Sequence, residues 1–444
     1  MKLIETLKNI WKIEDLRKRL TITFLFILIY RFGCHVVLPG INPADLEAMR
    51  NFTNSGLMQL LDMFSGGAFG QASIFALGIM PYITASIVIQ LMGMVVPSFQ
   101  KMQREGESGR MKLNQYTRYL TVAILLVQAP AYLMNLQYQV NAAGGHAHIS
   151  GLMMIYLSIV LTAGAMLIMW LGEKMTDKGI GNGISIIILV GILARFPGAI
   201  VQEFTSRLNT AQGGLVMFLV EIVILFAVTA GAVMLTQGTR KVPVQYAKRI
   251  VGNKQYGGAR QYIPLKVNAA NVMPIIFAQA LMFIPITLAG FGARQDAAGF
   301  GGWLSRTFGD MNGFWYNVVY FLMIVAFTYF YTAITVRPTQ MAEEMKKNSG
   351  FIPGIKPGKK TAEYLDSIMS RITLPGSIFL GIVAILPAFA RYFGVNQSFA
   401  QFFGGTSLLI TVGVVLDTLQ QIETHLMMHH YDGLMKSGKI KGRR

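Results

Sequence analysis

The chain has 444 residues, 53% of them hydrophobic and only 14% charged, against about 25% charged in an average soluble domain. That balance excludes a soluble globular protein and predicts an all-α polytopic membrane protein. The net charge of +18 would suit nucleic acid, but the basic residues lie between hydrophobic runs and so read as membrane topology.

In chain order, residues 1–19, within "MKLIETLKNIWKIEDLRKRL", form a basic amphipathic segment expected to lie on the cytoplasmic membrane surface. No small-residue cleavage site follows the next apolar run, so a cleavable signal peptide is not expected. Apolar runs of about 20 residues, the length a bilayer requires, begin near Leu20, Ala72, Tyr119, Gly151, Gly183, Leu215, Val272, Trp315, Ile372 and Thr406. Ten transmembrane helices are therefore predicted. With a cytoplasmic N-terminus, thirty-two basic residues fall on the cytoplasmic side and six on the other, which puts both termini in the cytoplasm. Five spans on each side of the middle, with prolines at matching places (Pro81 and Pro274), predict two pseudo-symmetric inverted halves: 20–203 holds spans 1–5 and 214–424 holds spans 6–10. A cytoplasmic tail, 425–444, follows.

Just before span 2, "GLMQLLDMFSGGAFG" is apolar but too short to cross roughly 30 Å of hydrocarbon. It ends in Gly66, Gly67 and Gly70. Backbone that stops hydrogen-bonding at membrane depth is tolerated only inside protein or beside a water-filled cavity, so a cavity is expected here. Ile79 and Ile83 in span 2, and Ile184 and Ile188 in span 5, are spaced i, i+4 and share a helix face. "GIGNGIS" at 179–185 lacks the strand and the Gly-Lys-Ser/Thr ending of a phosphate loop and reads as a closely packed entry into span 5. Two cytoplasmic loops, 237–270 and 337–371, are longer than bundle connections need. The first reads as a hairpin turning at Gly257-Gly258, the second as two helices around a Pro-Gly-rich tip.

Chemistry-bearing residues are sparse. Arg31, Glu221 and Asp417 are the main charges within spans, and counting from the span ends predicts that Arg31 and Glu221 pair. His425, His429 and His430 lie at a polar helix end without supporting ligands, so no metal is expected. Cys34 is the only cysteine, which excludes an intrachain disulfide. No cofactor and no enzymatic activity are expected, since no carboxylate pair or nucleophile–base set falls on a common face.

"FSGGAFGQASIFALGIMPYITASIVIQLM", "EGESGRMKLNQYTRY", "MWLGEKMTDKGIGNGISIII", "YAKR", "IPLKVN", "FIPGIKPGKKTAEYLD" and "FGGTSLLITVGVVLD" together resemble the SecY family, the channel subunits of the bacterial protein-export translocon. The resemblance runs from span 1 to the tail. It implies an hourglass channel between the two halves that passes unfolded secretory polypeptides and releases signal or transmembrane segments sideways into lipid. On that pattern the pore ring is Ile79, Ile83, Ile184, Ile188, Ile276 and Ile410. A plug helix at about 57–69 would include Leu60, Leu61, Met63 and Phe64, hinged at Gly66, Gly67 and Gly70. Thr84, Gln128 and Gln279 would line the lateral gate. Arg240, Lys241, Lys248, Arg249, Lys356, Lys359 and Lys360 would dock the SecA motor ATPase or the ribosome, including its RNA. The implied partners also include the small membrane subunits SecE and SecG, secretory preproteins with their signal sequences, and membrane lipids; the implied location is the bacterial inner membrane. One position departs from the pattern: Lys356 stands where the family usually has arginine, and a point charge replaces a planar fork. The alternative is an ion-coupled secondary solute transporter, which calls for an ionisable pocket at the midplane; a membrane-embedded enzyme is a weaker third.

Overall fold

The computed structural model describes residues 13–41, 62, 65–142, 150–209, 214–246, 249–251, 254–256, 260–270, 272–279, 281–282 and 313–436. It is mainly helical. The helices are α1 (Glu14–Gly33), α2 (Met80–Val95), α3 (Pro97–Arg104), α4 (Glu107–Ala142), α5 (Gly151–Lys178), α6 (Gly183–Asn209), α7 (Gly214–Gln237), α8 (Phe314–Thr335), α9 (Pro338–Lys347), α10 (Lys359–Tyr392), α11 (Gln397–Ala400) and α12 (Gly405–Lys436). Residues 273–279 and 281–282 are also helical. Among the described residues, seven helices are long and apolar enough to cross a membrane, or eight if α2 and α3 are taken as one broken span. Two of the ten predicted spans account for the shortfall. Helix α1 opens with five charged residues in six and also carries Arg31, and about half of the seventh predicted span lies outside the described residues.

The chain divides into two compact units: Met1–Val201 with Val414–Arg444, and Gln202–Gly413. In the first, small residues set the spacing. A Cβ added to Gly164 would meet the Ile74 carbonyl oxygen at 2.2 Å, and one on Gly183 would meet the Gly172 oxygen at 2.2 Å. Only glycine lets α5 approach the 72–79 stretch and α6 this closely, the small-residue packing that membrane helices use in place of a hydrophobic drive. The core joins Leu38, Phe69, Ala72, Leu133, Leu157 and Leu161, drawing on the turns before α2, on α4 and on α5.

The glycine loop between α5 and α6 is a junction, with its amides already spoken for. Ile180 N donates to Thr23 Oγ1 (3.1 Å), Gly181 N to Gln421 Oε1 (2.8 Å), Gly183 N to Thr176 Oγ1 (2.9 Å) and Ile184 N to Asn182 Oδ1 (3.1 Å). Arg19 Nη1 donates to the Gly179 carbonyl at 3.3 Å. A phosphate cradle needs free N–H groups, and here side chains from α1, α5 and α12 occupy them. The Gln421 bond also explains why the end of α12 belongs with the first unit.

In the second unit, β1 (Thr239–Tyr246), β2 (Arg249–Val251), β3 (Lys254–Tyr256) and β4 (Arg260–Lys266) follow α7, and β5 (Gly350–Phe351) follows α9. β1 pairs antiparallel with β4, from Thr239↔Lys266 to Gln245↔Arg260, and β2 pairs with β3, from Arg249↔Tyr256 to Val251↔Lys254. Both ladders keep one register, and its centre falls between Val251 and Lys254. The expected turn at Gly257-Gly258 is therefore corrected: those residues sit between β3 and β4, to one side of the hairpin's midpoint. β5 adds to β1 through Gln245↔Phe351 and Tyr246↔Gly350, giving a sheet of order β4-β1-β5.

The two long loops thus fold as one body. Val242, Val244 and Leu265 from the sheet bury against Met345 of α9, Ile352, and Leu365 and Met369 of α10. Strand β1 alternates, with Val242 and Val244 buried and Arg240, Lys241 and Pro243 exposed, as period-two side-chain placement dictates. The predicted second pair of helices is present, as α9 and the first turns of α10, on either side of residues 348–358.

Candidate functional site

Helix α6 carries the informative face. Ile184, Ile188, Gly191 and Arg195 are spaced four, three and four residues apart and so form one stripe. Ile188 is buried, and Ile184 packs against Gly172 of α5, where an added Cβ would come within 3.0 Å of its Cγ1. Further along the stripe, the segment after Asp62 lies directly on the helix. A Cβ on Gly66 would meet Gly191 Cα at 3.0 Å, and one on Gly67 would meet Arg195 Nε at 3.3 Å. Gly66 and Gly67 have φ of +68° and +92°, the left-handed region in which glycine carries no Cβ penalty. Two of the three glycines expected at the hinge thus adopt a backbone that favours glycine, while the Gly70 amide donates to Asp62 Oδ1. At about 1.5 Å rise per residue, Gly191 sits about 4.5 Å and Arg195 about 10.5 Å along the helix from Ile188.

The segment 65–70 is buried and held by several elements. Tyr30 Oη donates to the Ser65 carbonyl (3.1 Å) and Arg31 Nη1 to that of Gly66 (2.9 Å), both from α1. From α4, Tyr132 Oη donates to the Phe69 carbonyl at 2.8 Å, and its ring stacks edge-on to Phe69 at 4.8 Å. From α6, Arg195 makes an ion pair with Asp62, which is 4% exposed. Asp62 Oδ1 also accepts from Gly70 N at 2.7 Å, and its carbonyl from Gly67 N at 2.8 Å. Leu60, Leu61, Met63 and Phe64, expected in the plug, lie outside the described residues.

The expected pairing of Arg31 with Glu221 is corrected by these contacts. Arg31 is committed to Gly66, and Glu221 is bound by Arg207. Arg207 Nη2 meets Glu221 Oε1 at 2.6 Å, while its Nε meets Glu203 Oε1 at 2.8 Å. All three are buried, and Glu203 Oε2 accepts from Asn396 N at 2.8 Å. Asp417 is half-buried on α12. Among the described residues no cluster of three or more metal-ligating side chains occurs.

In the first unit, Ile79 and Ile83 sit on consecutive turns at the start of α2, both buried, with Ile83 N bonded to the Ile79 carbonyl at 3.1 Å. In the second, Ile276 is half-buried within helical residues 273–279 and Ile410 of α12 is fully buried. Of the expected gate residues, Thr84 turns its hydroxyl back to the Met80 carbonyl (3.1 Å) and Gln128 is half-buried on α4. Gln279 is 8% exposed, and its Oε1 meets no hydrogen-bond donor among the described residues. Arg240, Lys241, Lys356, Lys359 and Lys360 are exposed. Gly354 (φ +85°) and Gly358 (φ +102°) flank Lys356, whose carbonyl accepts from Thr361 Oγ1 at 3.0 Å. Arg249 lies on β2, and Lys248 lies outside the described residues.

Sequence reasoning missed Asp62, Tyr30, Tyr132 and Arg195 as partners of the glycine segment. The i+7, i+11 continuation of the isoleucine stripe to Gly191 and Arg195 was the one signal able to point to two contacts.

Comparison with known proteins bears on this arrangement. A family model described as SecY matches residues 73–419. The "Protein translocase subunit SecY" of Streptomyces scabiei is 42% identical over 438 residues, covering 96% of this chain and 98% of that protein. The solved structure "The plug domain of the SecY protein stablizes the closed state of the translocation channel and maintains a membrane seal" matches with TM-score 0.63 at 19% identity, over 92% of each chain. "Sec61 in the Canine ribosome-channel complex from the endoplasmic reticulum" matches with TM-score 0.58 at 19% identity, again over 92% of each. The fold is thus the ten-helix channel fold of those structures, and with identity sustained over almost its whole length the chain belongs to the SecY family.

Proposed function

We propose that the chain is a protein-conducting channel, passing unfolded secretory polypeptides across the membrane and releasing apolar segments sideways into lipid. The observation that carries this reading is the stripe on α6. It runs without a break from apolar Ile184 and Ile188 to the docking point of a short, glycine-hinged segment. A constriction lined by isoleucine excludes water and ions by dewetting and has no polar group with which to prefer one substrate sequence. A segment docked just beyond it is placed to act as a plug.

The ring is assigned to Ile79, Ile83, Ile184, Ile188, Ile276 and Ile410, and the lateral gate to Thr84, Gln128 and Gln279. The unmatched Gln279 Oε1 supports the gate assignment, since a buried amide oxygen without a donor is destabilising in the closed form and favours rearrangement. The exposed cations of the two-loop body are assigned to docking, with energy supplied by SecA or a translating ribosome. One solved structure of this fold, canine Sec61, is part of a ribosome-channel complex. SecE, SecG, secretory preproteins and inner-membrane lipids complete the proposed setting, with both termini cytoplasmic. A solute transporter is less well supported, because Arg31 and Glu221 already have protein partners.

Ion conductance of the reconstituted channel tests the reading. Replacing Ile79, Ile83 and Ile184 by serine should make the membrane leak ions, and a stalled secretory chain should crosslink to cysteines placed at the ring. Tight membranes with all three replaced would sink the ring assignment.

A further inference from the structure

Asp62 occupies two roles at once. One carboxylate oxygen and its carbonyl hold the turn, accepting from Gly70 N (2.7 Å) and Gly67 N (2.8 Å). The other carboxylate oxygen faces the guanidinium of Arg195. The two side chains differ sharply in setting, Asp62 being 6% exposed and Arg195 44%. The other side-chain ties that reach residues 65–69 from outside, among the described residues, end on main-chain carbonyls: Ser65 accepts from Tyr30 and Cys34, Gly66 from Arg31 and Phe69 from Tyr132. Asp62–Arg195 is therefore the tether in which the segment contributes a charged side chain. It also joins the segment to the helix that bears Ile184 and Ile188. The Arg195 guanidinium lies close over Gly67, where an added Cβ would come within 3.3 Å of Nε and the φ of +92° disfavours any side chain.

We propose that Asp62 and Arg195 form an ion-pair latch that holds the plug segment on α6 and sets how often the resting channel opens. The inference rests on the channel reading above and assigns its resting gate to a specific pair. When the segment leaves, Asp62 must part from Arg195 and the Gly67 surface must peel from the guanidinium. A half-exposed arginine regains water at once, so release is easy; the buried carboxylate has no such compensation until it moves. The asymmetry makes the latch weak enough to open under a translocating chain and strong enough to bias the closed state.

The test uses the full chain reconstituted with its small membrane subunits in planar bilayers, with resting ion conductance as the readout. Arg195→Gln and Asp62→Asn should each raise the resting open fraction about tenfold, the equivalent of about 1.4 kcal/mol. The double variant should open no more than either single one, since one interaction is removed by all three. Arg195→Lys, which keeps the charge, should stay within about threefold of the native channel. Two results would overturn the latch: a tight Arg195→Gln channel, or single effects that multiply in the double variant. Ile188→Gly in the same bilayers separates the two readings. If it leaks while Arg195→Gln stays tight, the latch is wrong and the channel stands; if neither leaks, the channel reading itself fails. Where Arg195→Gln does not assemble, Asp62→Asn, which keeps an acceptor for Gly70, decides the matter alone.

Discussion

Replacing Arg207 by methionine asks whether one guanidinium holds the buried cluster at the end of α6. It bonds Glu203 at 2.8 Å and Glu221 at 2.6 Å, with the two carboxylates 1% and 2% exposed. Two carboxyl groups already share one guanidinium, and Glu221 Oε2 has no hydrogen-bond partner among the described residues. Removing one member of a buried ion pair costs about 3–5 kcal/mol, because the charge left behind is uncompensated. Here two adjacent buried carboxyl groups would be left without their shared donor. The loss falls on a small region: the last turns of α6, and residue Asn396, which donates its amide to Glu203 and caps α11 by accepting from Ser398 N at 3.2 Å. Local opening is the appropriate readout, since whole-chain melting dilutes a regional change. Amide hydrogen exchange over residues 203–208 and 396–400 should quicken about a hundredfold to several thousandfold, at tenfold per about 1.4 kcal/mol. Glu221→Gln keeps an acceptor for Arg207 and leaves the Glu203 pair intact, so exchange there should change less than about tenfold. An Arg207→Met effect below tenfold, or one equalled by Glu221→Gln, would refute the account of the cluster.

Leu365→Ala removes a fully buried side chain from the cytoplasmic body. It should destabilise that body by about 2–4 kcal/mol, loosening β1 and β4 by hydrogen exchange while α4 and α5 keep their protection; equal loosening everywhere would show that the body has no core of its own. Lys356→Arg restores a planar fork at an exposed tip. Ribosome binding by the reconstituted channel should tighten about three- to tenfold, and unchanged or weaker binding would show that the position does not make a bidentate contact.

The spans were legible because apolar length is a one-dimensional property: each run of about 20 residues needs no partner to be recognised. The hairpin was legible as two alternating stretches, but its centre was not. Gly257-Gly258 is the stronger local turn signal, yet burying Val242, Val244 and Leu265 together fixes the register, and a one-residue slip would turn that face outward. β5 is two residues long and had no period to detect. The charged contacts were the least legible. Depth counted from span ends brought Arg31 and Glu221 to one level, but it could not know that α6 delivers Arg207 beside Glu221 or that Gly66 offers Arg31 a carbonyl. Asp62 and Arg195 are 133 positions apart, and nothing local in either stretch announces the other.

The way the plug segment is held has a consequence for which substitutions matter. Among the described residues, the side-chain ties from outside the segment other than Asp62–Arg195 end on main-chain oxygens, those of Ser65, Gly66 and Phe69, and these persist whatever side chains the segment carries. Each such hydrogen bond contributes about 0.5–1.5 kcal/mol net. Loss of one therefore changes the open population by about two- to twelvefold, a step small enough for an entering apolar segment to reverse. Sensitivity should therefore be concentrated on the donors, not spread over the plug. Tyr132→Phe should raise resting conductance severalfold by leaving the Phe69 carbonyl without its tyrosine donor, and Tyr30→Phe should do so by leaving the Ser65 carbonyl only the weak Cys34 thiol, whereas Ser65→Ala, which keeps the carbonyl that Tyr30 binds and loses only internal bonds to Asp62 and Phe69, should leak less. A channel in which Ser65→Ala leaks more than both tyrosine variants would mean that the segment's own turn, and not its docking to α1 and α4, keeps it shut.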